Sequence, residues 1–103
     1  MKLMRMLSEM IEDELDDAEK YARKAVKFKE SNPTLAKTFY DLSTDEMRHM
    51  SLLHTESAKA VEQYRKEHGE PPADMRAVYD YLHERHIDHS KEVKAYQDLY
   101  KGS

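Results

Sequence analysis

Apolar residues recur along this chain every three or four positions, the period of an amphipathic α-helix, and they do so in three long segments. The first break is Ser-Asn-Pro-Thr at 31–34, where Pro33 suits the first position of a helix, and the second contains Gly69, which suits a helix end. The pattern therefore predicts helices over about residues 3–30, 33–67 and 73–101. Because the breaks are short, we expect three long antiparallel helices and an all-α fold.

Carboxylates and histidines interrupt each apolar stripe near its middle. Glu14 interrupts the first stripe, Glu46 and His49 the second, and His86 and His89 the third. The other members of the first stripe are Leu3, Leu7, Met10, Ala18, Tyr21, Ala25 and Phe28. A charged group in an apolar stripe costs several kcal/mol in desolvation unless it is paired or binds a metal. The pattern therefore favours a helical bundle that binds a metal.

Counting residues from the breaks places these interruptions at similar heights in the bundle. Glu14 lies 18 residues before the Asn of the first break and His49 lies 17 residues after it, so at about 1.5 Å per residue the two should be level. From the Glu of the second break, His49 is 21 residues back, whereas His89 and Glu92 are 19 and 22 residues forward. We therefore expect the three sets to meet in one polar layer.

Length and composition limit the chemistry that this layer can carry. The chain has 103 residues, so we predict one helical domain over residues 1–103 with a single modest core. It contains no cysteine, which excludes disulfides, thiolate zinc sites and iron–sulfur clusters. Any metal must therefore be held by carboxylate oxygen and imidazole nitrogen.

Charge and hydropathy limit the classes of partner and the cellular location that we expect for this chain. The net charge is −4, and no basic cluster is interleaved with aromatic residues, so we do not expect nucleic-acid binding. No apolar run approaches the roughly 20 residues that a membrane span needs. Charged residues interrupt the apolar residues of segment 1–10, so this segment lacks the apolar run of a signal peptide. These observations predict a cytoplasmic protein that does not bind membranes.

Glu46 and His49 form a Glu-x-x-His motif, whose two side chains project from one helix face. Hard carboxylate oxygens with a few imidazoles suit iron or manganese, with zinc as another alternative. Each residue also has an ordinary explanation. Glu14 could lie at the edge of its stripe with its carboxylate in water, and Glu46 could form a hydrogen-bonded pair with His49. Their joint placement favours the metal site.

The third helix and the acidic run of the first helix leave alternatives open. His83, His86 and His89 follow at i, i+3 and i+6, which could chelate zinc or nickel or form a solvated, pH-sensitive face. His86 could join the main site, form a secondary site or pair with Glu56. We interpret the acidic run at 12–17 mainly as a solvated helix face, because it lacks the glycine and the spacing of an EF-hand.

Several features occur together between about residues 8 and 65: Glu14 with Ala18 and Tyr21 after it, the turn Asn32-Pro33-Thr34-Leu35, Phe39, Leu42, Glu46-x-x-His49 and Leu53. In this combination the chain resembles the rubrerythrin-like branch of the ferritin-like superfamily. That branch has a glutamate in its first helix, a tyrosine seven residues later and a Glu-x-x-His in its second. The resemblance implies that Glu14, Glu46 and His49 are iron ligands. The first two helices are also similar to those of encapsulated ferritins.

The resemblance extends to the third helix and to assembly. His89 stands where the family has its third-helix glutamate, and Glu92 stands at the acidic position one turn further on. With His86 from the histidine series, these residues complete the candidate ligand set. The family's fourth helix, with its second Glu-x-x-His, has no counterpart in this sequence. Encapsulated ferritins build their iron site across a dimer, so the resemblance implies a ferritin-like bundle completed in a homodimer or higher homo-oligomer.

The resemblance implies an iron-binding protein with a candidate di-iron site that oxidises or sequesters ferrous iron, and hence a candidate ferroxidase. Without cysteine there is no rubredoxin-type centre, so peroxide reduction coupled to such a centre is not expected. The sequence leaves open an encapsulating shell and a redox partner. The alternative function is a non-enzymatic helical interaction module, in which the polar core layer fixes helix register or partner choice.

Overall fold

The computed structural model describes residues 2–102 and contains three α-helices: α1 (Lys2–Phe28), α2 (Pro33–His68) and α3 (Ala73–Lys101). The all-α prediction is confirmed, since the described residues form no strand. The predicted domain range of 1–103 begins and ends on residues outside the described part of the chain. No helix within that part is both long and apolar enough to cross a bilayer.

The helix ends follow from local capping. Asn32 caps α2, because its side-chain oxygen accepts a hydrogen bond from the Leu35 N–H at 3.3 Å, and Pro33 occupies the first turn. Gly69 ends α2 with φ +80°, a conformation that side-chain-bearing residues rarely adopt. α1 ends two residues earlier than predicted, since the Lys29 N–H bonds back to the carbonyl of Val26 instead of continuing the α-helical ladder.

α1 is the central element of the fold. It packs against both other helices, whereas α2 and α3 contact each other much less. Of the nine apolar side chains that are buried in the described part of the chain, seven belong to α1 and recur at the helical period: Met4, Leu7, Ile11, Leu15, Ala18, Ala22 and Ala25. The three alanines near the end of this stripe have short side chains, which allow neighbouring backbones to come close. The position of any side chain around α1 therefore decides which neighbour it meets.

A buried serine joins the three helices. The Ser43 hydroxyl, fully buried on α2, donates to the carbonyl of Ala18 on α1 at 2.7 Å. It also accepts a hydrogen bond from the side-chain amide of Gln97 on α3 at 2.9 Å. Close by along the chain, Tyr40 and Tyr100 stack with their ring centroids 4.9 Å apart. These contacts fix α2 and α3 relative to α1 where the two outer helices meet.

The buried stripe of α1 is rotated relative to the predicted one. The prediction passed through Leu3 and Met10, but these side chains are 50% and 41% exposed. The buried stripe instead passes through Met4, Ile11 and Leu15, because it must face the space between two neighbours and not a single one. Glu14 consequently lies at the border of the stripe, not within it.

Candidate metal centre

The α1/α2 cluster consists of Glu14, Glu46 and His49. The antiparallel arrangement of the two helices brings Glu14 beside the Glu-x-x-His motif, whose members share one face of α2. The His49 Nδ1 atom lies 3.5 Å from Glu14 Oε2 and 3.7 Å from Glu46 Oε2. One ligand atom from each residue lies within 4.8 Å of the other two. The structure therefore brings together the three residues that the sequence singled out first.

The electrostatics of the α1/α2 cluster are unbalanced. Hydrogen bonding to the Glu14 carboxyl, burial and the negative charge of Glu14 raise the pKa of Glu46. Glu14 Oε2 is buried and has no hydrogen-bond partner among the described residues. Neither carboxylate has a salt-bridge partner of the lysine or arginine type in that part of the chain. Two carboxylates in this state are better satisfied by a cation than by each other.

His49 is oriented toward the two carboxylates. An Arg48 nitrogen lies 3.5 Å from His49 Nε2, on the opposite edge of the ring from the carboxylates. Because an arginine carries only donors, it favours the tautomer in which Nε2 accepts. Nδ1 is the ring nitrogen nearest to the carboxylates. A metal bound to Nδ1 requires the ring proton to lie on Nε2, so the Arg48 side chain would have to turn away from Nε2 to complete a ligand set of two oxygens and one nitrogen.

The α1/α3 cluster consists of Glu12, Asp16, Glu19, His89 and Glu92. Two overlapping groups within it have ligand atoms within 4.8 Å of one another, and both contain His89. One group adds Glu12 and Asp16 to His89, and the other adds Glu19 and Glu92. The structure thus places His89 and Glu92, two of the predicted ligands, in a cluster separate from Glu14.

The separation of the two clusters follows from helix geometry. At about 100° per residue, Glu12 and Glu14 lie about 160° apart around α1. Glu14 borders the buried stripe on the side of α2, whereas Glu12 and Glu19 border it on the side of α3. Among the described residues no metal-holding group contains both Glu14 and His89. The expected single polar layer is therefore divided into two by α1.

His86 lies beside the α1/α3 cluster. Its Nε2 atom is 3.5 Å from Glu12 Oε2, and burial lowers its pKa despite the opposing effect of that carboxylate. Glu56, which the sequence offered as a partner for His86, instead forms a salt bridge with Lys59 at 3.2 Å. The structure therefore connects His86 to α1.

Three members of the α1/α3 cluster were missed by the sequence analysis: Glu12, Asp16 and Glu19. The first two belong to the acidic run that was interpreted as a solvated face, and Glu19 was not considered. Their spacing of i, i+4 and i+7 is itself the helical period, and it marks a common edge. Only the position of α3 distinguishes this edge from a solvated one.

Comparisons with protein-family models, curated proteins and solved structures gave no match to this chain. The ferritin-like resemblance therefore stays a prediction from sequence motifs.

Proposed function

We propose that this chain is a ferritin-like iron-binding protein in which Glu14, Glu46 and His49 hold ferrous iron between α1 and α2. The single observation that carries this proposal is the pairing of two partly buried carboxylates next to an imidazole, with no lysine or arginine partner among residues 2–102. A divalent cation would relieve their repulsion and satisfy the unpartnered oxygen of Glu14. Hard oxygen ligands with one imidazole suit iron and manganese, with zinc as a competitor.

A second copy of the chain would complete the site. Three protein ligands leave several positions open on a cation that prefers six. Exposed apolar side chains continue along the Glu14 side of α1, at Leu3, Met6 and Met10, and Leu42 lies one turn before Glu46 on α2. An isologous dimer formed through this face would cover these side chains. It would also bring two sets of ligands together as a shared di-iron site in a ferritin-like bundle.

The proposed activity is oxidation or sequestration of ferrous iron. With two ferrous ions held close together, two electrons can pass to one O₂, which with two protons from water leaves as hydrogen peroxide. Iron is the substrate, O₂ is the oxidant, and the protein supplies carboxylates whose negative charge favours the ferric state.

One observation favours the second candidate function, a helical interaction module without metal. Hydrogen bonding to Glu14 and burial raise the pKa of Glu46, and a proton held between the two carboxyls would keep the α1/α2 cluster together without a metal. A polar layer of this kind fixes helix register and partner choice in other helical assemblies. The two functions differ in whether assembly depends on a metal.

Elemental analysis and light scattering on the untagged full-length protein distinguish the two functions. After loading with ferrous iron under anaerobic conditions, we expect near-stoichiometric iron in an oligomer, and loss of that iron in Glu46→Ala and His49→Ala. Glu56→Ala is the matched control, because Glu56 is an exposed glutamate of α2 that pairs with Lys59. If both variants keep the iron content and oligomeric state of the wild type, the proposed site is wrong. Metal-free protein whose assembly fails in these variants would support the interaction module.

A further inference from the structure

His89 occupies an unusual position for a histidine on a mostly solvated helix. Its side chain is only 14% exposed, and each ring nitrogen faces a carboxylate of α1. Nδ1 lies 3.1 Å from Glu12 Oε1, and Nε2 lies 3.4 Å from Glu19 Oε1. Asp16 is the next nearest carboxylate, 3.9 Å from Nε2. The ring is therefore held between two acidic residues that are two helical turns apart.

The contact with Glu12 orients the ring for metal binding. A neutral imidazole that donates Nδ1–H to a carboxylate presents the lone pair of Nε2 on its other edge. Histidines that bind metals almost always use their second nitrogen in this way, and the carboxylate fixes the tautomer. Glu12 is itself held by His86 Nε2 at 3.5 Å and by Arg85 at 3.9 Å. Glu12, which orients His89, is thus itself held in place by two other side chains of α3.

Two carboxylates that could join His89 as metal ligands lie close to its ring, and the oxygen of Glu19 is the one nearest to Nε2. His89, Glu19 and Glu92 each offer one atom within 4.8 Å of the other two. Glu19 Oε2 is engaged by Arg23 at 3.3 Å, which leaves Oε1 on the side of His89. Asp16, Glu19 and Glu92 carry three negative charges, and Arg23 offsets one of them. Two negative charges therefore remain around a neutral imidazole. One divalent cation would balance them.

We propose that His89 Nε2, Glu19 and Glu92 form a second site, for a divalent transition metal such as zinc, in which Glu12 orients the histidine and Asp16 adds negative charge. The imidazole ligand distinguishes this site from calcium and magnesium sites, which are built from oxygen alone. A metal bound here would connect α1 to α3, the two helices that supply its ligands. This site lies on the other side of α1 from the iron site proposed above and does not depend on it.

Imidazole nitrogen spectra of the full-length protein, recorded during titration with Zn²⁺, test the assignment without any mutation. The expected result is a zinc-dependent shift of His89 Nε2 while Nδ1 keeps its proton. A His89 ring that carries a proton on both nitrogens, and does not change as zinc is added, would overturn the proposal. That result would make His89 an imidazolium bridging Glu12 and Glu19 by ion pairs.

Calorimetric titration of variants with Zn²⁺ gives a second, independent test. We expect His89→Gln to lose one binding event per chain and Glu12→Gln to keep it with affinity weakened about 10- to 100-fold, the usual effect of removing an orienting carboxylate. His68→Gln is the control, because His68 is an exposed histidine outside both clusters. The background Glu46→Gln removes the α1/α2 site, so that failure of one site is distinguishable from failure of the other. An unchanged stoichiometry in His89→Gln would refute the second site.

Discussion

The two clusters on opposite sides of α1 contain similar residues but differ in how their charges are satisfied. In the α1/α2 cluster, two neighbouring carboxylates share one histidine that is 43% exposed. In the α1/α3 cluster, the histidine is mostly buried and contacts a carboxylate through each nitrogen, and arginines contact Glu12 and Glu19. The first cluster gains more from a cation, because its repulsion is not otherwise relieved. The second holds together without one, so we expect it to bind metal more weakly.

The largest effect should come from the core that supports both clusters. Leu15 is fully buried between the two borders of α1 and belongs to the cluster of Ile11, Ala18 and Val93. Leu15→Ala should lower the free energy of unfolding by about 2 to 5 kcal/mol, since it removes buried methyl groups and leaves a cavity. Chemical denaturation measures the change, with Leu99→Ala at an exposed position of α3 as the control. A loss as small as that of the control would mean that α1 does not depend on this core.

The two clusters should also differ in whether metal binding needs a second copy of the chain. Met10 lies one turn before Glu14 and is exposed, on the face through which we expect a second copy to bind. Met10→Lys should give monomers and weaken iron binding on the order of tenfold or more, about 1.4 kcal/mol. It should leave zinc binding at His89 intact. Light scattering and metal titration measure both, with Val78→Lys on α3 as the exposed control. An oligomer that survives Met10→Lys would exclude this face as the interface.

A smaller effect, shared by both clusters, is expected at the serine that joins the helices. Ser43→Ala removes the hydrogen bonds to Ala18 and from Gln97 and leaves the Gln97 amide without that partner. The cost should be about 1 to 2 kcal/mol. Ser51→Ala, at an exposed serine of the same helix, is the control in thermal or chemical denaturation. Equal stability of the two variants would show that this network does not hold the helices together.

The sequence predicted the three helices to within about two residues, because capping residues and the helical period are local signals. It also predicted the association of Glu14 with Glu46 and His49, since antiparallel helices joined by a short turn can be aligned by counting. It did not predict on which side of α1 the third helix packs. That side depends on how the buried stripe is rotated around the axis of α1. Counting residues from a turn gives only the height along the axis. His89 was therefore placed with Glu14 in the prediction, but it lies with Glu12 and Glu19 in the structure.

The smallest effect is expected from the repulsion between Glu14 and Glu46 in the α1/α2 cluster. Because Glu14 and burial raise the pKa of Glu46, the ionised carboxylate is less favourable in the folded chain than in the unfolded chain. The metal-free wild type should therefore lose stability as the pH rises above the ordinary range of a glutamate, and Glu46→Gln should lose less. At neutral pH we expect the variant to be more stable by about 0.5 kcal/mol, the size of a like-charge pair on a helix.

At acidic pH the difference between Glu46→Gln and the wild type should disappear, since Glu46 is then protonated in both the folded and the unfolded chain. Denaturation with a chelator present measures both limits, and Glu56→Gln is the exposed control. Bound metal reverses the order, because only the wild type keeps the ligand and is stabilised by binding. A variant that is less stable than the wild type without metal would show that Glu46 is a structural hydrogen-bond partner. The inference that unrelieved repulsion between Glu14 and Glu46 distinguishes the α1/α2 cluster would then be wrong.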